Sequence, residues 1–148
     1  MPLVTIVVPA FNVAKTLRET LDALQAQTFE DFEIVIVDDG SSDETASIAS
    51  SFLNDPRIRL VSQRNRGLAG ARNSGIAAAR GSLIGFCDAD DIWEPNKLAA
   101  HVQHLQSDET IGISYSGSSL INDDGDFLGQ SQKPRLGNID AAHIFKRN

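Results

Sequence analysis

A chain of 148 residues, 41% hydrophobic and 22% charged, is long enough for one real core and ordinary for a soluble globular domain. Its net charge of −7 argues against nucleic-acid polymers or anionic membrane surfaces as main partners, and no apolar run approaches the ~20 residues of a membrane helix. A single cysteine, Cys87, excludes an internal disulfide and fits a reducing compartment, so a cytoplasmic location is expected.

Leu3 to Val8 predicts a first strand ended by Pro9; it is too short for a signal-peptide core, and proline stands on both sides. Leu17, Leu21 and Leu24 recur at helical spacing and predict an amphipathic helix over Ala14 to Gln27. Glu33 to Val37 is expected as a second strand. Ser41 with Glu44 matches a capping box, and Ile48, Phe52 and Leu53 are expected to bury one face of the next helix. Ile58 to Ser62 reads as a third strand, and the polar loop Gln63 to Gly67 leads into a helix over Ala69 to Ala79. Ser82 to Cys87 predicts the fourth strand. Pro95 then opens a helix with Leu98, Val102 and Leu105 inward. Beyond Glu109, Ile111 to Ser116 and Ser118 to Ile121 look like strand material, Asn122 to Gly125 carries a turn signal, and Ile139 to Lys146 could form a last short helix. The alternation implies an α/β fold with a mostly parallel, open, doubly wound sheet and helices on both faces, in one domain over residues 1–148.

Two apolar runs end abruptly in carboxylates. Val35, Ile36 and Val37 lead into Asp38 and Asp39; Ile84 to Cys87 lead into Asp88, Asp90 and Asp91. Open α/β sheets bind ligands beyond the carboxyl ends of their strands, so both clusters point toward one crevice. Carboxylates gathered that densely repel unless a cation or ligand donors share the site. Asp88 and Asp90, at i and i+2, would face one side if strand geometry persists, with Asp91 approaching from another. The set suits Mg²⁺ or Mn²⁺ on a diphosphate, which takes one or two protein carboxylates and fills its octahedron with phosphate oxygens and water. Capping of the helix after Pro95 would need one carboxylate, not three.

The remaining residues divide less sharply. Asp38 and Asp39 could favour the dipole of the following helix, or accept the imide N–H of a base or the hydroxyls of a ribose; spacing leaves both open. Asp43 is assigned to capping. Gly67, Gly70 and Gly75 accompany Arg66, Arg72 and Asn73 at a helix start suited to phosphate, although G-x-G-x-x-G is absent. By spacing alone Arg72 reads as a solvated ion pair. His101 and His104 read as helix surface, and Cys87 as a buried, inert thiol. Trp93 either packs under the acidic loop or closes over a ligand.

The order of these segments resembles family 2 glycosyltransferases of the GT-A fold. Val7-Val8-Pro9-Ala10-Phe11-Asn12 looks like their first-strand signature, and Val37-Asp38-Asp39-Gly40-Ser41-Ser42-Asp43 is similar to their nucleotide-binding acid motif. Asn65-Arg66-Gly67 followed by Ala71-Arg72-Asn73-Ser74-Gly75 resembles their third motif, and Asp88-Ala89-Asp90-Asp91 their D-x-D motif, with Trp93, Pro95 and Leu98 following. Together these span about the first hundred residues. The resemblance implies a nucleoside-diphosphate sugar donor, commonly a UDP-sugar. Pro9, Ala10, Phe11 and Asp39 would border base and ribose, with Asn12, Gly67, Arg72 and Asn73 also on the donor. Asp90 would reach the ribose or sugar, and Asp91 would hold Mn²⁺ or Mg²⁺ against the diphosphate, with Asp88 completing the metal set.

The family reaction is inverting: an acceptor hydroxyl attacks the anomeric carbon opposite the departing diphosphate while a carboxylate takes its proton. In relatives that base comes from a later segment. Asp123, Asp124, Asp126 and Asp140 all precede its expected place, so no catalytic base is expected before Asn148. The chain therefore reads as a donor-binding portion truncated before the acceptor-binding half, with a non-catalytic nucleotide-sugar-binding or interaction module as the alternative. A nucleotidyltransferase would want a basic, glycine-rich loop after strand one, which Pro9-Ala10-Phe11-Asn12 is not. The resemblance further implies a saccharide or lipid-linked acceptor, cell-envelope polysaccharide biosynthesis, and a full-length protein peripheral at the inner face of the membrane. Ile144 and Phe145, if uncovered, would favour a homo-oligomer.

Overall fold

The computed structural model describes residues 1–122 and 125–132. The chain divides into two compact units, Met1–Gln103 and a second that begins at His104. In chain order the first unit holds β1 (Val4–Ala10), α1 (Leu17–Gln25), β2 (Phe32–Asp38), α2 (Thr45–Ser51), β3 (Ile58–Ser62), α3 (Gly67–Ala78) and β4 (Leu83–Phe86), then the start of α4 (Lys97–Ser107). The four strands make one parallel sheet in the order β3-β2-β1-β4.

Every residue of β1 and β2 is buried, as expected for central strands covered on both faces. Alternation sorts their side chains. Ile6, Val8, Ala10, Ile34 and Ile36 pack with Leu17, Leu21 and Leu24 of α1, Ala49 of α2, and Leu98 and Val102 of α4. On the opposite face Val7, Val35 and Val37 meet Ala71 of α3. A Cβ at Gly75 would lie 2.2 Å from Val7 Cγ1, so only glycine lets α3 settle this close to β1. The same face carries a polar cluster that local sequence patterns do not reveal. Thr5 Oγ1 donates to Glu33 Oε1 at 2.8 Å, Arg59 pairs with Glu33 Oε2 at 3.0 Å, and the Arg80 and Gly81 N–H groups donate to Thr5 Oγ1.

Several sequence expectations shift. β1 runs through Pro9 to Ala10 rather than ending at Val8. Val7 C=O accepts the Cys87 N–H, and Pro9 lies two residues on, so its missing N–H points to the side where β4 pairing has already ended at Val7–Phe86. The Ser41–Glu44 capping box does not form. α2 starts at Thr45, Ser41 Oγ accepts the Asn12 N–H instead, and Asp43 Oδ1 accepts the Thr45 N–H at 3.0 Å. Leu53 is 43% exposed, while Thr45 and Ala49 join Phe52 as the buried residues there.

In the second unit β5 (Ser118–Ile121) pairs antiparallel with β6 (Phe127–Gln132). Ile111 to Ser116 forms no strand: no ladder partner pairs with it among the described residues, and Ile113 is 73% exposed. His104 Nδ1 lies 2.8 Å from Ser114 Oγ. The helix expected over Ile139 to Lys146 lies outside the described residues. No helix among the described residues is long and apolar enough to cross a membrane.

Candidate functional site

A cleft of about 280 Å³ opens where β1, β2 and β4 end. Pro9, Ala10 and Phe11 line it from β1, Asp39 from the end of β2, Gly67 and Leu68 from the first turn of α3, and Asp88 and Asp90 from the loop after β4. The parallel sheet dictates this convergence, because all its carboxyl ends lie on one edge.

Asp39 is only 2% exposed. Its N–H donates to Ala10 C=O, and its Oδ1 accepts two bonds, from Gln63 Nε2 at 2.6 Å and from the Arg66 N–H at 2.9 Å. Among the described residues no hydrogen bond occupies Oδ2. Gly40 makes the arrangement possible: its φ is +77°, and a Cβ there would lie 2.9 Å from Asn65 N, so a side chain would push away the loop that donates to Asp39. Asp38 is not part of the cleft lining, and its Oδ1 accepts the Ser41 N–H.

Asn12 does not line the cleft. At φ +53° its side-chain oxygen accepts the Ser42 N–H at 2.8 Å, tying the end of β1 to the loop before α2. Asp43 Oδ2 adds a bond from the Ala14 N–H. Asn12 thus fixes the turn that presents Phe11, which is 48% exposed beside the cleft.

After Phe86 the chain leaves strand geometry, so Asp88 and Asp90 do not share a strand face as their spacing would give; residues 89 and 90 form a turn, and Asp91 N–H donates to Asp88 C=O. Thr16 Oγ1 holds this turn by donating to Ala89 C=O at 2.8 Å. Gln27 fixes the following segment, donating to Glu94 C=O and accepting the Leu98 N–H. Trp93 is buried in the core. Arg72 reaches the loop from α3, its guanidinium 2.7 Å from Asp88 Oδ1. Asn73 is exposed on α3 and lines no part of the cleft.

Burial, then the negative charges of Asp90 and Asp88, hold the Asp91 carboxyl above its ordinary range, with Lys97 opposing. Burial also pushes the Cys87 thiol far up, with Asp91 and Asp88 adding to the effect, which leaves it protonated and unreactive. Among the described residues no group of three His, Cys, Asp or Glu side chains is disposed to hold a metal ion by itself. A cation there would draw its remaining oxygens from water or a ligand.

Sequence patterns passed over Gln63. Its signal was available: it follows β3 directly, at the same sheet edge as the other three strand ends.

Residues 5–143 match the family model described as glycosyl transferase family 2. The chain is 34% identical to the chondroitin synthase of Pasteurella multocida across 99% of its own length, but spans only 16% of that relative. Among solved structures it superposes on a mannosyltransferase from Pyrobaculum calidifontis, in complex with GDP-Man and Mn²⁺, with a TM-score of 0.70 and 31% identity, covering 82% of this chain and 36% of that one. S. aureus TarS 1-349 in complex with UDP-GlcNAc gives a TM-score of 0.67 at 26% identity, covering 78% of this chain and 38% of the other. The GT-A sheet expected from the motifs is the sheet observed.

Proposed function

The chain belongs to glycosyl transferase family 2, and we propose that it is the donor-binding part of an inverting, metal-assisted glycosyltransferase that takes a UDP-sugar. The observation that carries this proposal is Asp39: a buried carboxylate lining the cleft, one oxygen already committed to Gln63 and Arg66. A single remaining acceptor matches the one imide N–H of uracil. Guanine presents two adjacent donors and would want both carboxylate oxygens. Pro9, Ala10 and Phe11 give the base an apolar wall, and Gly67 exposes the start of α3 toward the phosphates.

Asp90 is assigned to the ribose or the transferred sugar. Asp91 with Asp90 would hold Mn²⁺ or Mg²⁺. The donor set fits such an ion: the oxygens are hard, and after burial it is the repulsion from Asp90 and Asp88 that keeps Asp91 hard to ionise, a repulsion that a cation relieves. When bound, the cation supplies charge neutralisation for the departing diphosphate. The chain's own part is to orient the donor so that the anomeric carbon faces an acceptor hydroxyl on the side opposite the leaving group. A saccharide or lipid-linked acceptor on the cytoplasmic side completes the proposal, and the likeness to a chondroitin synthase supports a saccharide.

The test is a calorimetric panel of UDP-, GDP- and CMP-sugars with Mn²⁺ present. UDP-sugars should bind tightest. Binding of none would refute donor binding, and a preference for GDP-sugars would refute the role given to Asp39.

A further inference from the structure

We propose that Thr16 is a positioning residue for the donor: its hydroxyl fixes the turn after β4 and so sets that wall of the cleft against the diphosphate. This rests on the donor-binding reading above.

Thr16 is the N-cap of α1, where a threonine oxygen ordinarily accepts a hydrogen bond from the free N–H groups of its own first turn. It makes no such bond. Its Oγ1 donates instead to Ala89 C=O at 2.8 Å, across 73 residues of sequence. The local acceptor in reach, Val13 C=O, lies at 3.5 Å, the outer limit for a hydrogen bond, so the distant bond is the stronger of the two. α1 thus forgoes a stabilising cap, and the hydroxyl serves the far loop. Ala89 and Asp90 form the turn there, and both line the cleft. Ala89 is only 4% exposed, so water is a poor substitute for the Thr16 hydroxyl on its carbonyl.

A positioning group must itself be held. Asn12 N–H donates to Ser41 Oγ at 3.0 Å, Val13 N–H to Thr45 Oγ1 at 2.9 Å, and Ala14 N–H to Asp43 Oδ2 at 3.1 Å. Thr16 N–H donates in turn to Val13 C=O. Residues 12–16 therefore grip the segment that follows Asp39 on one side and the turn at Ala89 on the other. Val13 also lines the cleft. This short bracket sets the separation between the base contact and the diphosphate contact, and the Thr16 hydroxyl is its link to the loop after β4.

Calorimetric titrations of UDP and of uridine, both with Mn²⁺ present, test this in the 148-residue chain. Thr16→Val keeps the branched shape and removes the hydrogen-bond donor. UDP affinity should fall by about fivefold or more, because the turn occupies the binding geometry less often, while uridine affinity stays within about twofold. Thr16→Ser restores the hydroxyl and should return UDP affinity to within roughly threefold of the wild type. A merely structural role would not split the two ligands. Equal losses for UDP and uridine, an unchanged UDP affinity, or no rescue by serine would each overturn the proposal. Should Thr16→Val fail to fold by circular dichroism, Thr16→Ala carries the same comparison. A wild-type chain that binds neither ligand would refute the donor-binding reading and this proposal with it, whereas UDP binding that survives Thr16→Val unchanged refutes this proposal alone.

Discussion

Gln63 and Asp39 meet at 2.6 Å, the side-chain amide donating to Oδ1 of a carboxylate that lines the cleft. The bond joins the end of β3 to the end of β2 and, with the Arg66 N–H, commits one oxygen, while among the described residues the other accepts no hydrogen bond. Hydrogen bonds to charged groups contribute ~1.5–3 kcal/mol, and Arg66 retains part of the restraint in a Gln63→Ala variant. Uridine affinity should then fall by roughly 3- to 10-fold with the fold intact. An unchanged uridine titration would mean that Arg66 alone orients Asp39.

Asp39→Ala removes the acceptor itself. Uridine and UMP binding should weaken, while Mn²⁺ binding at the loop after β4 persists. Comparing uridine, UMP and UDP on both proteins separates the base contact from the phosphate contact. If uridine affinity does not change, Asp39 serves the dipole of the following helix.

The sheet was legible because β-branched runs bounded by polar loops leave few alternatives, and the acids at their ends marked the functional edge. What escaped was non-local. The partner of Arg72 lies 16 residues away and that of Asp39 lies 24 away, distances over which spacing rules carry no information. Pro9 looked like a strand terminator because its neighbour β4 ends early only in three dimensions. Ser41 looked like a cap because its local pattern is right, but Asn12 competes for its hydroxyl from 29 residues off. Ile111 to Ser116 had strand composition without a partner strand among the described residues.

The raised Asp91 pKa makes a signed statement about stability. An acid whose folded pKa lies above its unfolded value of ~3.9 favours the protonated fold, so its contribution is present below that value and lost as pH rises through the folded pKa. Burial is the main cause, followed by the charges of Asp90 and Asp88. The metal-free Asp91→Asn chain should therefore melt higher than the wild type near neutral pH, with the gap closing at about pH 4. Thermal melts across that range decide it; a wild type more stable than the variant at neutral pH would contradict the sign.

Gly75→Ala should destabilise the chain by about 1–3 kcal/mol, because the added Cβ meets Val7 where neither α3 nor the sheet can yield freely. Chemical denaturation would register a lower midpoint. A midpoint equal to wild type would mean that α3 slides on the sheet.

The central claim is that the cleft takes a nucleoside diphosphate through a base contact at Asp39 and a cation at the acidic loop. Titrating UDP into the wild-type chain, once with Mn²⁺ and once with EDTA, tests it directly. Affinity should be at least about tenfold higher with Mn²⁺, a hard cation bridging carboxylate and phosphate oxygens. Equal affinity in the two titrations would contradict the cation assignment, and no binding in either would contradict the site.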